Sequence, residues 1–390
     1  MSWEILFLLL PVAALSGWYI GRRRSHAPAN PRAQGRLAAE YFQGLNYLLN
    51  EQQDKAIEVF VRMLEVDSDT VETHFALGNL FRRRGEVDRA IRIHQNIIAR
   101  PTLKPAQRDQ ALYELGLDYM HAGLFDRAET LFQELVTSGA YREHALRQLI
   151  AIFQQEKEWE KAIEATRRLE AITSENLDPI IAQYYCELAE QARHGGDASH
   201  AVKMLRRALT ADHDCVRASM LEGDLSMAAD NCKAALRAYR RVEEQDPDYM
   251  SEILDALTEC YQRIGKPQAA IEYLSEVAER HHSMSAILVL ANLKRQTDGD
   301  EAACELLSEH LRQHPSLRGV ERLLSWSVDR QSGEGRVTLQ MLQQFLGRLV
   351  HEKPIYQCHN CGFTGRSLHW QCPTCKHWTT VKPIHGVEGE

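Results

Sequence analysis

The chain has 390 residues, of which 44% are hydrophobic and 26% are charged. This composition is ordinary for a globular protein and excludes a wholly disordered chain, a collagen and a multi-span membrane protein. The formal net charge of −8 gives the chain no general attraction for nucleic acid, so no nucleic-acid partner is predicted.

An uncharged apolar run, ILFLLLPVAALSGWYI, occupies residues 5–20. As a helix it would be about 25 Å long, slightly shorter than a hydrocarbon core of roughly 30 Å. Arg22, Arg23 and Arg24 follow it directly. A cleavable signal peptide, the alternative, carries its positive charge before the apolar run, whereas charge after the run resists translocation. The sequence therefore predicts an uncleaved transmembrane anchor at 1–21 and a basic tether at 22–36, with the remaining chain in the cytoplasm.

An internal repeat with a period near 34 residues follows the tether. Each copy begins with a small residue. An aromatic or apolar residue lies three positions after it, an alanine twelve positions after it and a large residue sixteen positions after it. The clearest copies are Gly44, Tyr47, Ala56 and Phe60; Gly78, Phe81, Ala90 and His94; and Gly116, Tyr119, Ala128 and Phe132. Such a unit is a helix pair that buries its apolar face only when copies stack.

Segments such as LGNLFRRRGEVDRAI (77–91) and LGLDYMHAGLFDRAE (115–129) resemble the tetratricopeptide repeat family. The resemblance predicts an array at 37–350 of about eight or nine repeats. The last pair, at 317–330 and 337–350, is degenerate. Free cysteine packs as a small hydrophobe, so the five scattered cysteines in these helices are predicted to be packing thiols.

The first helix of each pair in such an array lines a groove that binds peptide segments. Candidate partner residues on these helices are Asn79, Arg82, Arg83, Tyr113 and His121. Asn79 with the two arginines offers donors for a carboxylate or a peptide backbone. The alternative for Arg82 and Arg83 is a solvated helix end, where the helix dipole favours cations.

Four of the nine cysteines form a C-x2-C-x10-C-x2-C pattern near the C-terminus: Cys358, Cys361, Cys372 and Cys375. Each C-x2-C turn lets two thiolates converge on one metal ion, and two turns complete a closed tetrahedral site. Two disulfides are the alternative, which an odd cysteine count and a cytoplasmic location disfavour. The spacing predicts a metal-binding domain at 351–390 and leaves iron and zinc open. Tyr356, Phe363, Trp370 and Trp378 are expected to cover the site or to dock it on the repeats.

The apolar run with its arginines, the repeats and the segment CHNCGFTGRSLHWQCPTCKHW together resemble the lipopolysaccharide assembly protein B family of Gram-negative bacteria over the full length. The resemblance implies an inner-membrane adaptor that faces the cytoplasm, with iron or zinc bound in a rubredoxin-like domain. It also implies that the adaptor promotes degradation of the lipid A-committing deacetylase by a membrane AAA+ metalloprotease. Other lipopolysaccharide assembly and signalling membrane proteins are implied as further partners.

The expected fold class is an all-α tetratricopeptide-repeat superhelix, with an N-terminal transmembrane helix and a C-terminal rubredoxin-like or zinc-ribbon knuckle. No nucleophile–base set, phosphate loop or carboxylate pair has a recognisable spacing, so the chain is predicted not to be an enzyme. Two alternatives remain open. One is a general membrane-associated protein-binding scaffold or chaperone, and the other is an iron-based electron-transfer module.

Overall fold

The computed structural model of the protein describes residues 31–50, 52–66, 71–139, 141–330, 332 and 334–387. These residues fall into two compact units, which divide after Glu156. The predicted anchor at 1–21 and the arginines Arg22, Arg23 and Arg24 lie outside the described residues. The first described helix begins at Pro31, inside the segment predicted as a tether.

The described part of the chain contains no helix that is both long and apolar enough to cross a membrane. Its two longest helices, Pro31–Leu49 and Glu334–Glu352, have 19 residues each and mix apolar with polar and charged side chains. This finding contradicts the transmembrane helix in the expected fold class, and with it the predicted single-pass location in the inner membrane. Both predictions are therefore wrong for the part of the chain that the structure describes.

The first unit consists of helices in contact with their sequence neighbours. They are α1 (Pro31–Leu49), α2 (Gln53–Val66), α3 (Val71–Arg83), α4 (Val87–Ile98), α5 (Pro105–His121), α6 (Phe125–Ser138) and α7 (Arg142–Glu156). Tight turns connect α3 to α4 and α5 to α6. Gly85 and Gly123 occupy these turns with φ of +84° and +73°, a region that costs glycine little.

The repeat pattern corresponds to a packing contact inside each helix pair. A Cβ built on Gly44 would lie 2.7 Å from the Phe60 ring, and one built on Gly116 would lie 2.6 Å from the Phe132 ring. The two helices therefore touch where a glycine faces a ring sixteen residues later. His94 takes the place of the aromatic ring against Gly78, which explains why the second copy departs from the pattern.

The second unit continues with helix pairs and adds a small sheet. Its helices are α8 (Trp159–Thr173), α9 (Asp178–His194), α10 (Ala198–Ala211), α11 (Val216–Ala228), α12 (Cys232–Gln245), the 3-10 helix η1 (Pro247–Glu252), α13 (Leu254–Arg263), α14 (Pro267–His281), α15 (Met284–Asp298), α16 (Asp300–Gln313), α17 (Leu317–Arg330) and α18 (Glu334–Glu352). A continuous core runs from Val216 in α11 to Trp326 in α17.

A three-stranded antiparallel sheet follows α18. Its strands are β1 (Tyr356–Cys358), β2 (Thr364–Gly365) and β3 (Val381–Pro383), in the order β2-β1-β3. Tyr356 pairs with Gly365 on one side and with Pro383 on the other. We call residues 356–387 the ribbon. The helical repeats and the ribbon confirm the all-α repeat fold with a C-terminal metal-binding knuckle.

None of the nine cysteines, all of which lie in the described part of the chain, forms a disulfide. Four of the five scattered cysteines are buried, and Cys304 is half-buried. Cys186 and Cys215 lie 3.8 Å apart between their Sγ atoms, and burial raises the pKa of Cys186 well above its ordinary value. A buried neutral thiol is a packing residue, as the sequence predicts.

Candidate metal centre and partner surface

The four cysteine sulfurs of the ribbon converge on one point. The Sγ atoms of Cys358, Cys361, Cys372 and Cys375 all lie within 4.8 Å of one another. Two of these separations are 3.8 Å (Cys358 to Cys375) and 3.6 Å (Cys361 to Cys372). Four sulfurs at about 2.3 Å from a central ion would be about 3.8 Å apart, so the spacing fits a tetrahedral tetrathiolate.

Two similar turns place these sulfurs. In the first, the Gly362 amide donates to the Cys358 carbonyl at 2.9 Å, and in the second the Lys376 amide donates to the Cys372 carbonyl at 2.9 Å. Gly362 and Lys376 both have positive φ, at +77° and +61°. Each turn thus folds its C-x2-C segment so that both sulfurs point the same way.

The electrostatics of the second turn favour a metal-binding thiolate. The Asn360 side chain donates to Cys375, and the backbone at His377 adds a second hydrogen bond. Together they lower the pKa of Cys375 to about 5. Hydrogen bonds to the charged form have this effect because they stabilise the thiolate. The donor set fits one soft or borderline tetrahedral ion, and both iron and zinc accept it.

The ribbon is docked on the repeat helices of the second unit. The Trp370 ring stacks on Tyr249 of η1, with 5.3 Å between ring centroids, and the Arg217 guanidinium lies 5.8 Å from the same indole ring. The Tyr249 hydroxyl donates to the Val381 carbonyl at 3.0 Å. Burial raises the pKa of Tyr249, so this phenol remains a donor. The docking joins β3 and the loop before the second C-x2-C turn to η1.

Ion pairs and a second aromatic contact extend the docking. Lys382 Nζ lies 2.7 Å from Asp246 and 2.9 Å from Asp248. Trp378, three residues after Cys375, makes edge contacts with Tyr184 at 5.8 Å and with Trp159 at 6.2 Å between ring centroids. The metal centre is therefore held between two aromatic contacts with the repeats.

The aromatic residues predicted to cover or dock the site divide into two groups. Trp370 and Trp378 contact the repeats, and the Tyr356 hydroxyl donates to Glu252 at 2.8 Å. Phe363 instead packs in the ribbon core. The residues on the repeat side, such as Tyr249 and Asp248, were missed by sequence reasoning because no local pattern marks them.

Two of the candidate partner residues are engaged inside the first unit. Arg82 donates to Asp118 at 2.8 Å, to Glu114 at 2.6 Å and to Asn79 at 2.8 Å. Asp118 is fully buried and also bonds His94 at 2.5 Å. Arg82 thus joins α3 to α5, and its side chain is only 12% exposed, which does not fit the solvated helix end predicted for it.

The other three candidates differ in exposure. Arg83 and His121 are exposed, whereas Tyr113 is half-buried. Tyr113 stacks on Tyr141 with 5.3 Å between ring centroids and meets His144 edge-on at 5.9 Å. We call Tyr113, Tyr141 and His144 the aromatic cluster. Sequence reasoning missed Tyr141 and His144, although both fall near the start of the next repeat, where α7 follows α5 in the stack.

Known protein families match segments in both parts of the fold. Residues 73–106 and 186–249 match families described as tetratricopeptide repeats, and residues 356–383 match the family described as the rubredoxin metal binding domain. Among solved structures, a crystal structure of MamA is 22% identical and covers 44% of this chain and 94% of its own, with a TM-score of 0.33.

Two curated relatives span nearly the whole chain. Lipopolysaccharide assembly protein B of Escherichia coli (strain K12) is 42% identical over 387 residues, which is 99% of each chain. The protein of the same name from Haemophilus influenzae is 36% identical over 394 residues, again 99% of each chain. Identity at this level over two full lengths is evidence of common descent, and the chain belongs to the lipopolysaccharide assembly protein B family.

Proposed function

We propose that this protein is a non-enzymatic adaptor that regulates lipopolysaccharide assembly by binding other proteins. The observation that carries the proposal is the 42% identity to lipopolysaccharide assembly protein B over 99% of both chains. The helical repeats support it, because stacked helix pairs offer extended surfaces for protein segments. The four thiolates support it as well, since a closed tetrathiolate leaves no position for a substrate.

The partner surface that we propose lies in the first unit. The aromatic cluster combines the half-buried Tyr113 and Tyr141 with the exposed His144. Tyrosine is favoured in binding surfaces because it offers a large apolar area and one polar group at little entropic cost. Exposed Arg83 and His121 add polar contacts. Arg82 contributes indirectly, because its ion pairs hold α3 against α5.

The metal ion has a structural role in this proposal. When bound, it would cross-link the two C-x2-C turns through four metal–sulfur bonds. The ribbon core has only four buried hydrophobic residues, Tyr356, Cys358, Cys372 and Val381, so this cross-link would supply much of its stability. Elemental analysis and a visible spectrum of the purified protein distinguish zinc from iron. A reversible redox couple at this site would instead favour the electron-transfer alternative.

The client that we propose is the lipid A-committing deacetylase, which the adaptor presents to the membrane AAA+ metalloprotease. The adaptor holds one protein segment on the aromatic cluster and so raises the local concentration of client near protease. Other lipopolysaccharide assembly and signalling membrane proteins are further proposed partners. The general scaffold alternative differs in selectivity, because its loss would affect many proteins.

A pulse-chase experiment tests this proposal. Cells depleted of the protein are complemented with wild type or with Tyr113→Ala/His144→Ala, and the half-life of the deacetylase is followed together with the whole proteome. We expect depletion to lengthen the deacetylase half-life selectively and wild type, but not the variant, to restore it. Asp298→Asn, an exposed change in the second unit, is the matched control. An unchanged deacetylase half-life on depletion refutes the proposal.

A further inference from the structure

Three histidines meet beside the last helix pairs of the second unit, apart from the cysteine site. His310 lies in the last turn of α16, and His314, four positions later, caps that helix and donates its backbone N–H to the His310 carbonyl at 2.8 Å. His282 caps the C-terminus of α14 with φ of +51°, and this left-handed turn brings its ring onto His314. The ring centroids are 4.6 Å apart for His282 and His314, and 5.0 Å apart for His310 and His314.

The trio lines two cavities of about 510 Å³ and about 300 Å³. His281 and His385 also line the larger one, but each has an acidic partner, since His281 lies 3.2 Å from Glu243 and His385 lies 3.3 Å from Asp248. No carboxylate partner is seen for His282, His310 or His314 among the ion pairs of the described residues. Ions and small molecules can therefore approach the trio from both cavities.

The environment of His310 suits metal binding. Burial lowers the pKa of His310, and the neighbouring His314 and His282 lower it further. The lowered pKa favours the uncharged imidazole of His310, and a neutral imidazole nitrogen is the form that binds a metal ion. The Nε2 atom of His310 is buried and has no hydrogen-bond partner in the described part of the chain. A buried polar nitrogen without a partner is costly, and a ligand would relieve that cost.

We propose that His282, His310 and His314 form a second metal site, which takes one divalent transition-metal ion of the zinc, nickel and copper class. Imidazole ligands select these ions over magnesium and calcium, which require oxygen ligands. Two histidines four residues apart at the end of a helix are similar in spacing to the histidine pair that binds such ions on one helix face. Three imidazoles leave at least one coordination position for water or an incoming ligand.

Formation of the site requires the rings to turn. The His282 and His314 planes differ by 24° and are stacked, so their nitrogens do not yet face a common point. The ring nitrogens of the three histidines are accordingly not all within 4.8 Å of one another, whereas the four cysteine sulfurs are. The exposed His282 and half-buried His314 border the open cavities, which leave room for rotation about χ2.

Equilibrium dialysis of the untagged full-length protein against Ni²⁺ tests the proposal. The protein is used as purified, with its cysteine site loaded, and nickel is counted by elemental analysis. We expect wild type to take up one nickel ion per chain without loss of the metal already bound. His310→Asn/His314→Asn is expected to abolish this uptake. His213→Asn, which changes an exposed histidine outside both cavities, is expected to retain it.

A second measurement needs no substitution and so does not depend on variant folding. Diethylpyrocarbonate modifies accessible neutral imidazoles, and mass spectrometry locates the modified residues. We expect Ni²⁺ to protect His282 and His314, which border the cavities, in wild type while His213 remains reactive. Absence of nickel uptake in wild type, equal uptake in the double variant, or equal modification with and without nickel would each overturn the second site.

Discussion

Trp370 of the ribbon stacks on Tyr249 of η1, with the ring planes 26° apart and 5.3 Å between centroids. The two residues are separated by more than a hundred positions in the sequence, and they join the metal-binding module to the repeat helices. Lys382 lies over the same tyrosine ring, 5.9 Å from its centroid. The ribbon is thus a docked part of the second unit.

Truncation of this stack should weaken the docking. We expect Trp370→Ala to lower the free energy of unfolding of the second unit by about 2–3 kcal/mol, because a large half-buried ring and an aromatic pair are lost. Trp370→Phe should recover most of that loss, since it keeps a ring against Tyr249. Urea unfolding followed by circular dichroism measures both variants. Equal stability of Trp370→Ala and wild type would show that the stack contributes nothing.

Removal of the metal should release the ribbon from the repeats. In Cys358→Ser/Cys361→Ser, or after treatment with a strong chelator, we expect Trp370 and Trp378 to become exposed to water. Tryptophan fluorescence should shift to the red while far-ultraviolet circular dichroism keeps its helical signal. Cys304→Ser changes a half-buried thiol outside the site and is the control. An unshifted spectrum in protein that elemental analysis shows to be metal-free would contradict this prediction.

The metal ligands were predictable because their spacing is local. A C-x2-C turn is defined by four consecutive residues, and the turn geometry brings both sulfurs together without help from distant parts of the fold. The glycine-to-ring contacts such as Gly44 with Phe60 were predictable for a similar reason, since the repeat fixes their separation. The partners of Trp370 were not, because their positions depend on how η1 meets β3.

Arg82 shows where pattern reasoning fails in a repeat protein. Its position on the first helix of a pair suggests a groove residue, yet its guanidinium is bound to Glu114 and Asp118 in the next pair. A long side chain can point along the stack or into solvent from the same helical position. Only the burial of Asp118 and His94 decides between these directions, and neither is visible in the sequence of α3.

The neighbouring arginines therefore make a matched pair for testing the first unit. We expect Arg82→Glu to lower the stability of this unit by about 3 kcal/mol, because Asp118 is left buried without its cation. Arg83→Glu should change stability by no more than about 0.5 kcal/mol, since Arg83 is exposed. Thermal unfolding measures both. If Arg83→Glu reduces co-purification of the deacetylase without lowering stability, Arg83 acts in binding and not in folding. Equal destabilisation by the two changes would refute the structural role of Arg82.

Acid should weaken the contact between Asp248 and Lys382. Burial alone would raise the pKa of Asp248, but the Lys382 ammonium outweighs it and lowers this pKa below its ordinary value. A carboxyl with a lowered folded-state pKa stabilises the fold above its unfolded pKa of about 3.9, and this contribution disappears as the pH falls through the folded-state pKa.

The measurement is the difference in stability between wild type and Asp248→Asn across a pH series. Because both groups are partly exposed, we expect less than about 1 kcal/mol near neutral pH. The difference should shrink below about pH 4. The same comparison cancels the acid-induced loss of metal, which affects both proteins. Asp298→Asn should show no such pH-dependent difference, and a gap that widens below about pH 4 would show that the sign is wrong.

Lys376 occupies, in the second C-x2-C turn, the place that Gly362 holds in the first. Both have positive φ, at +61° and +77°, but only glycine reaches this region without a steric cost. We expect Lys376→Gly to stabilise the metal-bound protein by about 1 kcal/mol, and Gly362→Ala to destabilise it by a similar amount. A Cβ on Gly362 would meet nothing within 4 Å, so the second change tests the backbone alone. In each variant, a higher unfolding temperature should accompany slower release of the metal to a chelator. A lower stability of Lys376→Gly would show that the lysine side chain stabilises the turn by more than its backbone strain costs.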